Sequence, residues 1–346
     1  MHLEENRILA PFTTFGIGGP ARWFVEAQSE ADILEASCWA DERKVPIFVL
    51  GGGSNVLVAD AGFNGLVLHI AMKGIEEQDV ADERVLICAA AGEDWDGLVQ
   101  RAVDENCAGI ECLAGIPGTV GGTPVQNVGA YGQEVSSVIT RVRAFDLKER
   151  RMCEFDAEQC GFSYRRSRFN TADAKRFVVT RVDYQLVRGG APTLKYPDLQ
   201  RAFPADSTPP SLAEVAETVR RIRQSKGMLL VDCEPDCRSA GSFFKNPIVH
   251  EDHAHRIEFI TRKAPPRFPA GPEKVKIPAA WLIEQAGFSR GFAIGNAGIS
   301  SKHTLALVNR GAATASEILA LAAEIRSSVE KKFGVVLQPE PVFIGF

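Results

Sequence analysis

The sequence predicts an α+β protein of more than one domain, and three observations carry that prediction. The chain has 346 residues, about twice the size of a common domain. The run VPIFVL, GGGSN, VLVAD at residues 45–60 reads as strand, glycine turn, strand, with no room for a helix between the two apolar runs. Strand-like runs at 137–145, 151–155 and 177–187 alternate with amphipathic helical patterns elsewhere, which is the mixture of an α+β chain.

Each element has a local reason. ARWFVEA (21–27) reads as a strand, and the next segment begins a helix, with Ser29 three residues before Asp32 in the manner of a capping box. FNGLVLHIAM (63–72) and RVLICAAA (84–91) are apolar strands. Trp95, Leu98, Val99, Ala102 and Val103 then recur at helical spacing. The short charged turn KERR joins SVITRVRAF to RMCEF as a hairpin, and FVVTRVDYQLV follows as a third strand. Ser211 and Glu214 form a capping box before Leu212, Val215, Val219 and Ile222, which share one helical face. Beyond Lys226 come an acidic proline-bearing loop, AGSFFKNPIV, a Pro/Arg/Lys-rich connection through 261–278, a short helix PAAWLIEQAG and a strand KHTLALVN. The last helix starts near TASE, buries Ile318, Leu321, Ile325 and Val329, and stops at Gly334 before the strand-like end VVLQPEPVFIGF.

Composition narrows the function classes. With 45% hydrophobic and 24% charged residues the chain is ordinarily globular, and no apolar run is long enough for a membrane helix. The first residues, MHLEENRILAPF, lack a basic then apolar leader, so a cytoplasmic location is expected. A net charge of -5 argues against broad nucleic-acid binding, while the Arg165, Arg166 and Arg168 cluster suits a small anion. The eight cysteines are spread thinly and read as reduced thiols. Cys233 and Cys237, with His250, His253 and His255, match no common zinc spacing in a segment that reads as loop, so no metal is expected.

The chemistry concentrates in a few motifs. GGGSN (51–55) and GIPGTVGG (115–122) each read either as a tight turn or as a cradle, since glycine lets backbone N–H groups converge on phosphate oxygens. The strand–turn–strand order excludes the dinucleotide fingerprint, which needs a helix after its glycines. A flexible linker is excluded for 115–134, because Ile116, Val120, Val125, Val128 and Tyr131 need burial. YRRSRF (164–169) is either a solvated basic turn or an anion clamp. AGSFFKNP (240–247) offers Ser242 as a proton donor or nucleophile, or else a turn that sends Phe243 and Phe244 into a core; it is not a nucleophile elbow. QPEPVFIGF holds Glu340 between two prolines, which fix the direction of a catalytic or an ion-pairing carboxylate alike.

Taken in series, FGIGGPARWFVEA, GGGSNVL, AGIPGTVGGTPVQNVGAYG, YRRSRF, AGSFFKNP and LQPEPVFIG resemble the UDP-N-acetylenolpyruvoylglucosamine reductase (UDP-N-acetylmuramate dehydrogenase) family across essentially the whole chain. The resemblance is closest to the form with a tyrosine-bearing substrate loop, here LKYPDLQ with Tyr196. It implies a vanillyl-alcohol-oxidase-like (PCMH-type) FAD fold in two parts, residues 1–72 and 73–226, the latter joined by the C-terminal strand 334–346. A smaller α+β substrate-binding domain, 227–333, would complete it. It also implies a reaction: NADPH reduces non-covalent FAD, and a hydride then passes to UDP-N-acetylglucosamine enolpyruvate to give UDP-N-acetylmuramate.

By motif position the resemblance implies Arg165, Ser242 and Glu340 as catalytic residues. The cofactor would lie on Gly51, Gly52, Gly53, Ser54 and Asn55, and on Gly115, Ile116, Pro117, Gly118, Gly121, Gly122, Asn127, Gly129 and Ala130. Tyr131, Tyr196, Lys226, Asn246 and His303 would bind the sugar nucleotide. A monomer serving peptidoglycan precursor synthesis is the expected setting. Two other classes remain: a related FAD oxidase, which the lack of a His or Cys tether motif beside the glycine turns disfavours, and a non-catalytic flavin or nucleotide-sugar binder, which would be expected to lose one of the three catalytic residue types. Gln338 stands where some members have Glu, position 303 varies between Gln and His, and LVDCEPDCRS lengthens the loop between Lys226 and Ser242.

Overall fold

The structure is a computed structural model that describes residues 1–206, 208–231 and 234–346. The chain forms two compact units. The first comprises residues 1–7, 21–53 and 64–224, and the second 8–20, 54–63 and 225–346.

The first unit is built on two sheets. One orders its strands Leu3–Ile8, Pro20–Ala27, Phe63–Ile70 and Ile47–Leu50, with the last two parallel. The helix Glu30–Glu42 begins where expected, its Ser29 hydroxyl accepting the Asp32 N–H. The other sheet runs Arg151–Asp156, Ile139–Asp146, Phe177–Arg188, Arg84–Ala90, Ile75–Asp79, and Cys107–Ala108 also pairs with the long strand. Its expected hairpin closes at Asp146 opposite Arg151. The helix Trp95–Asp104 buries all five of its expected apolar residues, and Leu212–Ser225 is capped by Ser211 and Glu214 as read. One hydrophobic core joins these elements, from Val25 and Ile33 through Trp95 and Tyr184 to Val219.

The second unit has its own core around Phe15, Phe243, Leu282, Ile318 and Ile325. Its long helix, Ala315–Phe333, opens on a Thr314/Glu317 capping box and ends at Gly334 with φ 66°, a left-handed cap that glycine adopts without penalty. The last strand was expected beside residues 73–226. Val342–Ile344 instead pairs in parallel with Val56–Val58, and bonds from Val342 N to Asn55 O and from Ala59 N to Ile344 O extend the ladder. Val56–Val58 is buried throughout, so its backbone polar groups need such a partner.

The sequence predicts a loop for the His-rich segment; it is the helix Glu251–Thr261, with the His250 ring accepting the Asp252 N–H at its start. The connection 261–278 likewise carries short strands, Phe268–Pro269 and Lys274–Lys276, the second paired with Ile248–His250.

Candidate functional site

In the first unit the two glycine turns abut. A Cβ on Gly51 would stand 2.8 Å from Thr119 Oγ1, and one on Gly52 would stand 2.7 Å from Gly118 Cα. Real Cβ atoms do not approach backbone so closely, so only glycine permits this contact. Gly53, Gly115 and Gly118 have φ of 62°, 71° and 126°, in the range where glycine is favoured. Gly121 packs against Ala91, whereas Gly122 faces open space. Gly51, Gly52, Ile116, Pro117 and Gly118 stay partly or fully exposed beside a buried Gly115. The two glycine turns are held edge to edge, so they are not isolated turns.

The rest of the stretch is tied to YRRSRF. Asn127 Nδ2 donates to Ser163 O and Glu134 Oε2, Ser167 Oγ donates to Val125 O, and Arg165 Nη1 donates to Gly129 O at 3.0 Å. Asn127, Tyr131 and Arg165 all have positive φ, at 46°, 48° and 56°. Such backbone is costly outside glycine and persists only where surroundings impose it, as at many functional sites. The arginine cluster is therefore not a free solvated turn. Gly129–Ala130 forms a small ladder with Gln133–Glu134, and Tyr131, 8% exposed, meets Tyr196 edge to face at 5.2 Å.

Sequence reading missed Arg223. It lies 8% exposed, its Nε donates to Gly115 O at 2.9 Å, and burial pushes its guanidinium down while a hydrogen bond with Tyr131 and the charge of Asp96 oppose that shift. Asp96 in turn accepts the Gly115 N–H and Arg220 Nη2. The signal was present: Arg223 continues the buried row Val215, Val219 at four-residue spacing, where a charge is unexpected unless it holds something.

In the second unit AGSFFKNP and QPEPVFIG lie side by side. Glu340 N donates to Phe243 O and Lys245 N to Gln338 O, each at 2.9 Å, with a bridge between Phe244 and Pro339. This pairing sets Glu340 against Phe243, the residue that follows Ser242. Phe243 and Phe244 are both 1% exposed, as the core reading of this motif expects: the rings anchor the segment, and Ser242 stays half-buried. Asn246 Oδ1 accepts the N–H of Ala279 at the start of the helix Ala279–Ala286. Asn55 Nδ2 donates to Glu340 O.

Lys226 and His303 are also brought together. Burial, then the charges of Lys226 and Arg290, depress the His303 imidazole to about 4, so it is neutral at pH 7. Its Nδ1 accepts the Leu305 N–H, which leaves the ring proton on Nε2. A second residue missed by the sequence holds this corner: Asp236, 8% exposed, accepts from Ser300 Oγ, Ser301 N and Ser301 Oγ, and lies against Gly227. Cys237 is a free thiol bonded to Leu229 O, and Cys233 lies outside the described residues. His250 faces Glu273 and His253 bonds to Phe333 O. Among the described residues no cluster of His, Cys, Asp or Glu is placed to hold a metal.

Residues 21–150 match the FAD binding domain family, and residues 234–344 match the UDP-N-acetylenolpyruvoylglucosamine reductase, C-terminal domain family. The UDP-N-acetylenolpyruvoylglucosamine reductase of Thermobifida fusca is 44% identical over 99% of this chain and 98% of its own length. That of Streptomyces coelicolor is 46% identical over 97% and 89%. Among solved structures, the UDP-N-acetylenolpyruvylglucosamine reductase of Thermus caldophilus superposes with a TM-score of 0.68 at 25% identity, covering 99% of both chains. With a fold of FAD-binding type and whole-length identity at this level, the chain belongs to the UDP-N-acetylenolpyruvoylglucosamine reductase family.

Proposed function

We propose that this chain reduces UDP-N-acetylglucosamine enolpyruvate to UDP-N-acetylmuramate with NADPH as reductant, as a cytoplasmic monomer in peptidoglycan precursor synthesis. The observation that supports the reading best is the pairing, within the second unit, of the segment that carries Ser242 with the segment that carries Glu340, through the bond from Glu340 N to Phe243 O. Three structural parts belong to the same proposal: 1–72 and 73–226 hold FAD, and 227–333 covers the sugar nucleotide.

The glycine turns at 51–55 and 115–122, with Asn127, Gly129 and Ala130, would hold FAD without a covalent link. When bound, FAD supplies the hydride for the enolpyruvyl methylene carbon. Arg165 orients the substrate carboxylate and offsets the charge that grows on it as electrons leave the methylene. Its backbone is held at positive φ and its guanidinium by the bond from Nη1 to Gly129 O, so little reorganisation is needed. Glu340 meets that carboxylate as a protonated or hydrogen-bridged group, since two bare carboxylates repel. Ser242 gives its hydroxyl proton to the neighbouring carbon, which completes the lactyl ether. An alcohol is a weak acid, but an enolate carbon is basic enough to accept its proton where nearby cations hold the alkoxide.

Tyr131, Tyr196, Lys226, Asn246 and His303 bind the sugar nucleotide. Lys226 and Arg290 bring positive charge beside a neutral His303, an arrangement suited to a diphosphate flanked by a hydrogen-bond donor. An anaerobic titration tests the whole reading. NADPH should bleach the yellow protein, and the enolpyruvyl nucleotide should restore the colour without oxygen. Recovery only on admitting air would make it an oxidase; no bleaching would make it a binder.

A further inference from the structure

Glu111 lies in an otherwise apolar run, NCAGIECLAG, and is 0% exposed. Among the described residues no salt bridge involves it. Its carboxylate instead collects N–H donors from three segments: Gly109 N to Oε2, Gln133 Nε2 to Oε1 and Thr193 N to Oε1, each at 2.8 Å. The same node is closed by Gln133 Nε2 to Thr193 Oγ1, Cys112 N to Gln133 Oε1, and the Cys112 thiol to Thr193 O. Burial, and next the Glu111 charge, push that thiol well up, so it stays a donor. Gln133 follows Tyr131 by two residues and Thr193 precedes Tyr196 by three. Beyond the node, Gly132 lies against Lys195, and the two tyrosine rings meet at 5.2 Å.

We infer that Glu111 is a positioning residue for the sugar nucleotide: its buried carboxylate clips the Thr193–Tyr196 segment onto the Gln133 end of the glycine-rich stretch and so sets Tyr196 against Tyr131. This deepens the proposed function and rests on its reading of Tyr131 and Tyr196 as substrate contacts. The chemistry of the node requires an acceptor on both oxygens, because donors arrive on each. Glutamine at 111 would turn an NH2 group toward at least one N–H, leaving two buried donors facing each other. Tyr196 itself is 37% exposed.

The experiment uses the FAD-loaded enzyme and the two half-reactions. Glu111→Gln should raise the KM for the enolpyruvyl nucleotide roughly tenfold, with FAD content and the rate of bleaching by NADPH unchanged. It should also speed tryptic cleavage after Lys195, which is exposed, relative to all other sites. Thr193→Val, which removes only the bond to Gln133 at a half-buried position, should do the same two- to threefold and keeps the test open should the Gln variant not fold. Unchanged KM and unchanged Lys195 cleavage in a folded Glu111→Gln enzyme would overturn the inference, as would equal loss in both half-reactions. Tyr196→Ala separates it from the reading beneath: unchanged KM there removes Tyr196 from the substrate site, whereas Lys195 cleavage in the Glu111 variant still reports whether the clip exists.

Discussion

The stretch 115–134 in the first unit and the paired segments 240–246 and 338–342 in the second solve different problems with different materials. In the first, the backbone is the working surface: glycines allow a neighbouring turn to approach, and Asn127 and Tyr131 accept positive φ. In the second, two extended segments pair and the proposed chemistry rests on their side chains, with Phe243 and Phe244 sunk in the core. Added atoms should damage the first region, by displacing a ligand or the turn. Deleted atoms should damage the second, by removing chemistry while the fold survives.

The largest effect is expected in the second region. Glu340→Ala should lower kcat/KM by about 10³, within the range for groups acting on a reacting centre, with a thermal midpoint close to wild type because the backbone bond to Phe243 O needs no side chain. Glu340→Gln should recover part of the loss if a hydrogen-bonded rather than charged group is required. A large fall in the midpoint of either variant would break the contrast, by making Glu340 structural.

Next comes an addition in the first region. Gly52→Ala places a methyl 2.7 Å from Gly118 Cα, an overpacking that costs about 1–3 kcal/mol. FAD affinity, followed by flavin fluorescence on dilution, should weaken at least several-fold while turnover of the FAD-saturated enzyme changes little. Gly122→Ala, with open space around its Cβ, should weaken FAD only if the ligand lies there. This pair therefore maps which glycine is packed and which faces the cofactor.

A smaller effect concerns pH and the second unit. His303 in the unfolded chain titrates near 6.5, but in the folded chain near about 4. As pH falls from 6.5 toward 4 the unfolded state takes up a proton that the folded state refuses, so stability falls through that window. The loss is at most about 3 kcal/mol. Urea midpoints of wild type and His303→Gln at pH 7 and pH 5 check it: the wild type should lose more on acidification than the variant. Equal losses would show that His303 is not held neutral.

The comparison also explains what was legible in the sequence. Caps and long amphipathic patterns announced the helices at Glu30–Glu42, Leu212–Ser225 and Ala315–Phe333. The helix Glu251–Thr261 escaped because it buries only Ala254 and Ile257 while exposing Phe259 at 87% and Ile260 at 48%, and because histidine caps it. That leaves no clean 3.6 period and no Ser, Thr, Asp or Asn start signal. The two- and three-residue strands near 268–276 are too short for alternation to register. Among site residues, motifs exposed the groups proposed to meet ligands, but not those that hold these groups. Glu111, Arg223 and Asp236 act through backbone groups remote in sequence, and such partners cannot be read from spacing. Their one local mark is a charge where the surrounding pattern is apolar, which is visible for Glu111 and Arg223.

The most direct test of the central claim, that the Ser242 segment carries the proton while the glycine turns carry the cofactor, is anaerobic single turnover with Ser242→Ala. The variant should show normal FAD content, normal bleaching by NADPH, and return of colour on adding the enolpyruvyl nucleotide slowed by about 10² to 10⁴. Return at the wild-type rate, or loss of FAD from the variant, would contradict it.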